Sequence, residues 1–211
     1  PIFLAGGTFE EGVCIEGVDV SGMTYAQAEP LVVEKREIKL SELSIKYSVD
    51  GQQYALDSQP YNKKYAVALW SECTLRTWLN TAFYDAAFND TEKQSIVTKE
   101  LENWKDVNTQ DTVSLLDNDE AKTLFENHAD RMTVPTAYAI AQGAWQSQKY
   151  GPGNAQWWLR SHSWEEKHRG AYVAGSGGVM TCGGNSMGRV DNARLSVRPA
   201  IYVATDALEA L

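Results

Sequence analysis

The sequence predicts an α+β fold with a small antiparallel sheet, two or more helices and long C-terminal loops. Three observations predict it. Helical patterns come first, before residue 145. After Trp157 short strand candidates alternate with turns, and seven of the sixteen glycines fall between 170 and 188. This order of helices first and strands last lacks the alternation of a βαβ repeat. The chain has 211 residues, 43% apolar and 22% charged, enough to bury a core without disulfides.

Element by element, "GVDVSGMTYAQAE" (17–29) reads as a loop and then a helix starting near Thr24, which Pro30 should end or kink. "LSIKYSVDGQQYAL" (43–56) alternates around Asp50-Gly51, a hairpin signal. "SECTLRTWLNTAFYDAAF" (71–88) is the clearest helix. Ser71 is its expected N-cap, and Leu75, Trp78, Leu79, Ala82 and Phe83 form one apolar stripe. The stripe should pack on a sheet carrying Trp157–Arg160 and Val197–Tyr202. A short helix capped by Asp90 or Thr91, a strand at 112–116, a capped helix at 117–125 and a helix opened by Pro135 follow. "GAYVAG", "GGVMTC" and "SVRPAIYVA" are the late strand candidates.

A net charge of −9 argues against nucleic acid as a ligand, because phosphate binding needs a basic patch. Residues 85–131 alone hold twelve Asp/Glu against five Lys/Arg, a net of −7 that reads as a solvated acidic face. Cys14, Cys73 and Cys182 are odd in number, widely spaced and without a CxxC, so neither a disulfide framework nor a zinc site is indicated. No run of eighteen apolar residues could span a membrane.

"YALDSQPYN", "WSECTLRTWLN", "FYDAAFNDTEKQSI", "DTVSLLDNDEA", "PTAYA", "WWLRS" and "VRPAIYV" occur in this order. Together they resemble a family of uncharacterised bacterial surface and phage-borne domains with a WWLRS…VRPA signature. The resemblance implies a C-type-lectin-like fold, in the branch that includes the formylglycine-generating enzymes. It also implies that the stretch between the signatures, here 162–196, is one that diversity-generating retroelements rewrite in some proteins of this fold. The chain would then be a hypervariable binding protein. His162 departs from a common Pro, which costs loop rigidity, and Ser114 from a bulky apolar residue, which weakens the strand at 112–116. Residues 11–29 are similar to a segment of wall-associated proteins of the vancomycin-resistance accessory type. The expected organisation is therefore an N-terminal segment, 1–40, and a C-type-lectin-like domain, 41–211. The expected location is extracellular, on a cell surface or virion, with any signal or anchor upstream.

The stretch "WWLRSHSWEEKHRGAYV" (157–173) sets a mixed chemical run beside a very apolar one. Within 162–194, Trp164, Arg169, Tyr172, Met180, Met187, Arg189 and Arg194 are of the types that dominate binding hot spots. Ser, Gly and Asn fill the gaps, as in antibody paratopes. The candidate ligand-binding residues are Trp164, Glu165, Lys167, His168, Arg169, Asn185, Met187, Arg189, Asp191 and Asn192, expected to form one exposed surface. The partner would be a protein or glycan at a cell or virion surface. The bland alternative is a glycine-rich solvated loop.

No cofactor, metal or catalytic residue is expected. His162 and His168, six apart, share no helix face and lie about 20 Å apart on a strand, so they and Glu165 and Glu166 should not share an ion. Calcium-lectin motifs are absent. The formylglycine-generating relatives leave an oxidase as an alternative, with Cys182 meeting Cys14 or Cys73, although Cys73 reads as a small core residue. A structural wall-attachment module is the third reading. Trp157 or Trp158 should fill the core, and Arg160 and Arg198 should tie loops to backbone carbonyls or acids.

Overall fold

The computed structural model describes residues 8–15, 18–24, 26–32, 48–49, 52–149, 152–163, 168–181 and 188–204. The chain divides into two compact units, 1–45 with 205–211, and 46–204. In the first, strands Cys14–Ile15 and Val18–Asp19 pair antiparallel, and Phe9, Val20 and Ala28 make a small core. Helix 26–32 runs past Pro30. Proline removes a single N–H, and the loss of one intrahelical bond does not end the helix there.

The second unit is α+β, with several short helices and small sheets. Its principal sheet runs Val179–Met180, Gly170–Val173, Trp157–His162, Ser196–Val197, Asp57–Ser58. The sheet is mixed rather than purely antiparallel, because Trp157–His162 lies parallel to Ser196–Val197. A parallel neighbour needs a long return connection, and the stretch from 162 to 196 supplies it.

Neighbouring residues on this central strand face opposite sides, and both sides are covered. Trp158 enters a core with Tyr61, Trp70, Leu75, Leu79 and Val197. Trp157 enters a second core with Phe125, Leu159, Ala171 and Val173. Both indoles are therefore buried, where one was expected. Each N–H finds a backbone carbonyl, of Gln59 at 2.8 Å for Trp158 and of Arg131 at 3.1 Å for Trp157. Gly170 is needed beside them, since a Cβ there would stand 2.9 Å from the Trp158 ring.

The helical stretch after residue 70 differs in detail from its sequence pattern. A 3-10 turn, Trp70–Glu72, precedes helix Thr74–Trp78, a π-helical turn Leu79–Phe83 and helix Tyr84–Ala87. The N-cap is Cys73, whose sulfur accepts the Arg76 N–H at 3.4 Å. Ser71 instead donates its hydroxyl to Asp106 at 2.6 Å. The wider π turn rotates the stripe, so Leu75 and Leu79 are buried, Trp78 and Phe83 half-buried and Ala82 exposed. Asn80, within that turn, binds the 112–113 backbone through both its amide atoms.

Other caps shift by a residue or two. Asn89, not Asp90 or Thr91, caps helix Asp90–Ser95 in a capping box with Glu92, and Asp117 caps Asn118–Thr123 with Glu120. Thr136 caps Ala137–Ala141, while Pro135 sits in a strand parallel to Ala55. Ser48↔Gln53 and Val49↔Gln52 pair across Asp50-Gly51, as a hairpin requires. The 112–116 strand is reduced to Val113–Ser114. "SVRPAIYVA" splits at Arg198-Pro199, and Ala200–Val203 joins a different sheet with Ile96–Val97 and Val113–Ser114.

The main core contains two groups that ionise at high pH. Burial pushes the Cys73 thiol up to about 12 and the Tyr61 phenol well above 10. Both stay protonated in the fold while the unfolded chain loses their protons, so stability is intact below pH 9 and falls above it. The Cys73 share should reach about 1.4 kcal/mol per pH unit between pH 9 and about 12. Urea midpoints of wild type and Cys73→Ala should therefore converge as pH rises above 9. Parallel curves would show that the thiol ionises equally in both states.

Candidate functional site

Three segments distant in sequence meet around the candidate surface. Arg169 and Arg189 form an antiparallel bridge, and Val190 N–H donates to the His168 carbonyl at 3.1 Å. The Val190 carbonyl accepts the Asn62 N–H at 2.8 Å, which brings in the 61–65 segment. Val190 is fully buried and anchors the junction, and Gly188 lets the strands close, since a Cβ there would lie 3.0 Å from the Gly170 carbonyl.

Outside this frame Arg189 makes a two-point ion pair with Asp191, Nε to Oδ1 at 3.0 Å and Nη2 to Oδ2 at 2.8 Å. The pair holds the Asp191 carboxyl below the usual range and raises Arg189. The Arg189 guanidinium lies 4.4 Å from the centre of the Tyr65 ring, and His168 meets the same ring edge-on at 5.0 Å. Asn192 donates its N–H to the Arg189 carbonyl and accepts the Arg194 N–H, forming a local turn.

Of the ten candidates, His168, Arg169, Arg189, Asp191 and Asn192 thus come together. Arg189 is exposed and the other four are half-buried. Trp164, Glu165, Lys167, Asn185 and Met187 lie outside the described residues, as does Glu166. Two hot-spot types are not at this surface. Tyr172 is buried in the main core and Met180 packs against it, because both are strand residues on the covered face of the sheet.

A concavity of about 220 Å³ opens at the Arg160–His162 end of the central strand, the end that also leads to His168–Arg169 through the Ser163 N–H bond to the Arg169 carbonyl. Its lining includes Trp70, Glu102, Trp104, Asn118, Asp119 and His162. His162 is buried, with its ring nitrogens 2.7 and 3.1 Å from the carbonyl oxygens of Ser163 and Trp104. Its ring packs on Trp104 at 5.2 Å, while His168 packs on Tyr65, so the two histidines serve different places. Lys105, with φ 53°, extends its ammonium to 4.4 Å from the Trp104 ring centre.

Arg160 binds beneath this pocket. It pairs with Asp117 at 2.7 Å and with Glu120, and donates to the Leu115 and Glu102 carbonyls. Arg198 does not meet an acid among the described residues. Its guanidinium stacks 4.9 Å from Phe125 and 5.1 Å from Trp157, with Gln53 as a polar partner, and burial pushes its pKa down to about 10. Cys73 is a buried core residue, Cys14 is exposed in the first unit, and Cys182 lies outside the described residues. Among the described residues no group of three or more His, Cys, Asp or Glu could hold a metal, and no helix is long and apolar enough to cross a membrane.

A family model described as a domain of unknown function, DUF6273, matches residues 40–205. The chain belongs to the DUF6273 family. No curated protein and no solved structure matches it. In this DUF6273 domain the sequence pattern missed Tyr65 and Trp104. Each is a lone aromatic in a lysine-bearing loop, "NKKYA" and "NWKDV", without periodicity to mark it. Both are exposed, at 51% and 50%, and each stacks against a histidine and a cation.

Proposed function

We propose that this DUF6273 domain is a non-enzymatic recognition module that displays residues 162–194 on a C-type-lectin-like scaffold. The observation that carries the reading is the locked junction of Tyr65, His168–Arg169 and Arg189–Asp191. Backbone bonds and a buried Val190 fix the chain, while Tyr65 and Arg189 remain outside. A surface ordered in advance loses less entropy on binding. The neighbouring of strands Trp157–His162 and Ser196–Val197 also supports it, because the exposed residues of a stretch that leaves and re-enters on adjacent strands can vary while its buried Ala171, Tyr172, Val173 and Val190 hold the core. The partner is a protein or glycan at a cell or virion surface, and its diversification would be written in the gene as a near-repeat of the 162–196 coding segment beside a reverse transcriptase.

A variant with Trp164, His168, Arg169 and Arg189 all changed to Ser tests the reading. Its stability should fall by no more than about 2 kcal/mol, since substitutions outside the core fall near 0.5 kcal/mol each. It should lose the signals that the parent gives on glycan and extracellular-protein arrays. A variant that unfolds, or one that keeps those signals, makes the stretch core or bystander.

A further inference from the structure

We infer that the recognition surface takes a short acidic segment of a partner protein, one whose carboxylates are interspersed with apolar side chains. This rests on the recognition reading and adds the partner's chemistry to it. The loop 63–67 carries much of the argument. Tyr61 and Ala68 on either side of it are buried, while all of 63–67 is exposed. Its backbone is tied down. Asn62 N–H donates to the Val190 carbonyl at 2.8 Å, the Asn62 side-chain amide to the Lys64 carbonyl at 3.0 Å, and Lys63 N–H to the Thr74 hydroxyl at 3.0 Å. A loop held this way loses little entropy on binding. It presents Lys63 and Lys64, which have no ion-pair partner among the described residues, together with Tyr65 and Val67, 51% and 62% exposed. Arg189 lies on the Tyr65 ring and bridges to Arg169, so the loop is continuous with the locked junction.

The charge of the chain is segregated. Segments 61–65 and 162–194 together hold six Lys/Arg against three Asp/Glu, a net of +3. The rest of the chain holds thirteen against twenty-five, a net of −12. Of the three acids, Asp191 is already engaged by Arg189. Such a division attracts an acidic partner to this face and repels it from the others. The same −12 limits the partner's length. An extended polyanion, whether nucleic acid or a long sulfated glycan, would run from the patch onto carboxylates, and a short segment does not. Tyr65 and Val67 then favour a peptide over an acidic oligosaccharide. A sugar has no apolar side chain to cover Val67, whereas a leucine or phenylalanine removes that surface from water. Tyr and Arg are also the side chains that dominate protein interfaces.

The test is selection of a random dodecapeptide phage library on the intact chain, followed by titration of the enriched peptides by fluorescence anisotropy. The enriched peptides should be acidic and carry apolar residues. They should bind about tenfold more weakly to the Lys63→Glu, Lys64→Glu double variant, and more weakly as salt rises from about 50 to about 300 mM. Both lysines are exposed, so the melting temperature should not move; the Lys63→Gln, Lys64→Gln pair, with a smaller loss of affinity, serves if it does. Val67→Ser should weaken binding severalfold and leave the salt dependence unchanged. Neutral or basic peptides that are lost in the variant with Trp164, His168, Arg169 and Arg189 changed to Ser overturn the inference and leave the recognition reading standing. Peptides that bind that variant as well as the parent overturn both. The inference also falls if nothing is enriched, if affinity is indifferent to charge reversal and salt, or if a sulfated tetrasaccharide binds where no peptide does.

Discussion

Arg160→Ala should cost the 46–204 unit about 3–5 kcal/mol, a large part of the stability of a domain this size. The guanidinium is 5% exposed and holds together four parts of the chain. It pairs with Asp117 and Glu120, donates to the carbonyls of Leu115 and Glu102, and reaches Asn103. Alanine leaves those acceptors behind without their donor. Asp117 and Glu120 are 28% and 29% exposed, so water recovers part of their loss, but the buried Leu115 carbonyl has no such relief. Arg160→Lys should recover less than half, since a single ammonium cannot fork to two acids and two carbonyls. Urea denaturation of the three proteins decides this. A loss below about 1 kcal/mol for alanine would show that the network is worth little more than an exposed ion pair.

Gly177→Ala should be the second severe change, at about 3 kcal/mol or more, and the reason is geometric. Gly177 has φ +80°, which alone costs an L side chain about 1 kcal/mol. Its Cβ would also stand 1.8 Å from the His128 carbonyl oxygen, a backbone atom that no rotamer change can move. Arg131 clamps the same turn, its Nε donating to the Gly177 carbonyl at 2.7 Å, so relieving the clash would break that bond. Gly153 is the control. It has φ +82° and nothing within 4 Å of an added Cβ, so Gly153→Ala should show the conformational cost alone. Equal thermal shifts for the two variants would refute the steric argument.

Part of the candidate surface was legible because its flanks are. The apolar run ending at Arg160 and the strand at 196–197 bound a chemically mixed stretch, and side chains of that kind are costly to bury without partners. Tyr65, which organises Arg189 and His168, comes from a loop more than a hundred residues earlier, and nothing in its own neighbours encodes the meeting. Trp104 and the pocket escaped for the same reason.

The sequence by itself determined the local elements. Helix Asn118–Thr123 follows from Asp117 and Glu120, three residues apart, satisfying each other's N–H groups. The Ser48–Gln53 pairing follows from Asp50-Gly51. The α+β class follows from the order of such patterns. These signals act within a turn or two, where the chain has few alternatives. Only the tertiary structure decided that both Trp157 and Trp158 are buried, that Cys73 replaces Ser71 as a cap, and that Arg198 stacks on rings instead of meeting an acid. Whether a strand has one covered face or two, and which partner a hydroxyl or a guanidinium reaches, depends on segments tens of residues away. Those contacts are set by the packing of whole elements, which the local pattern does not contain.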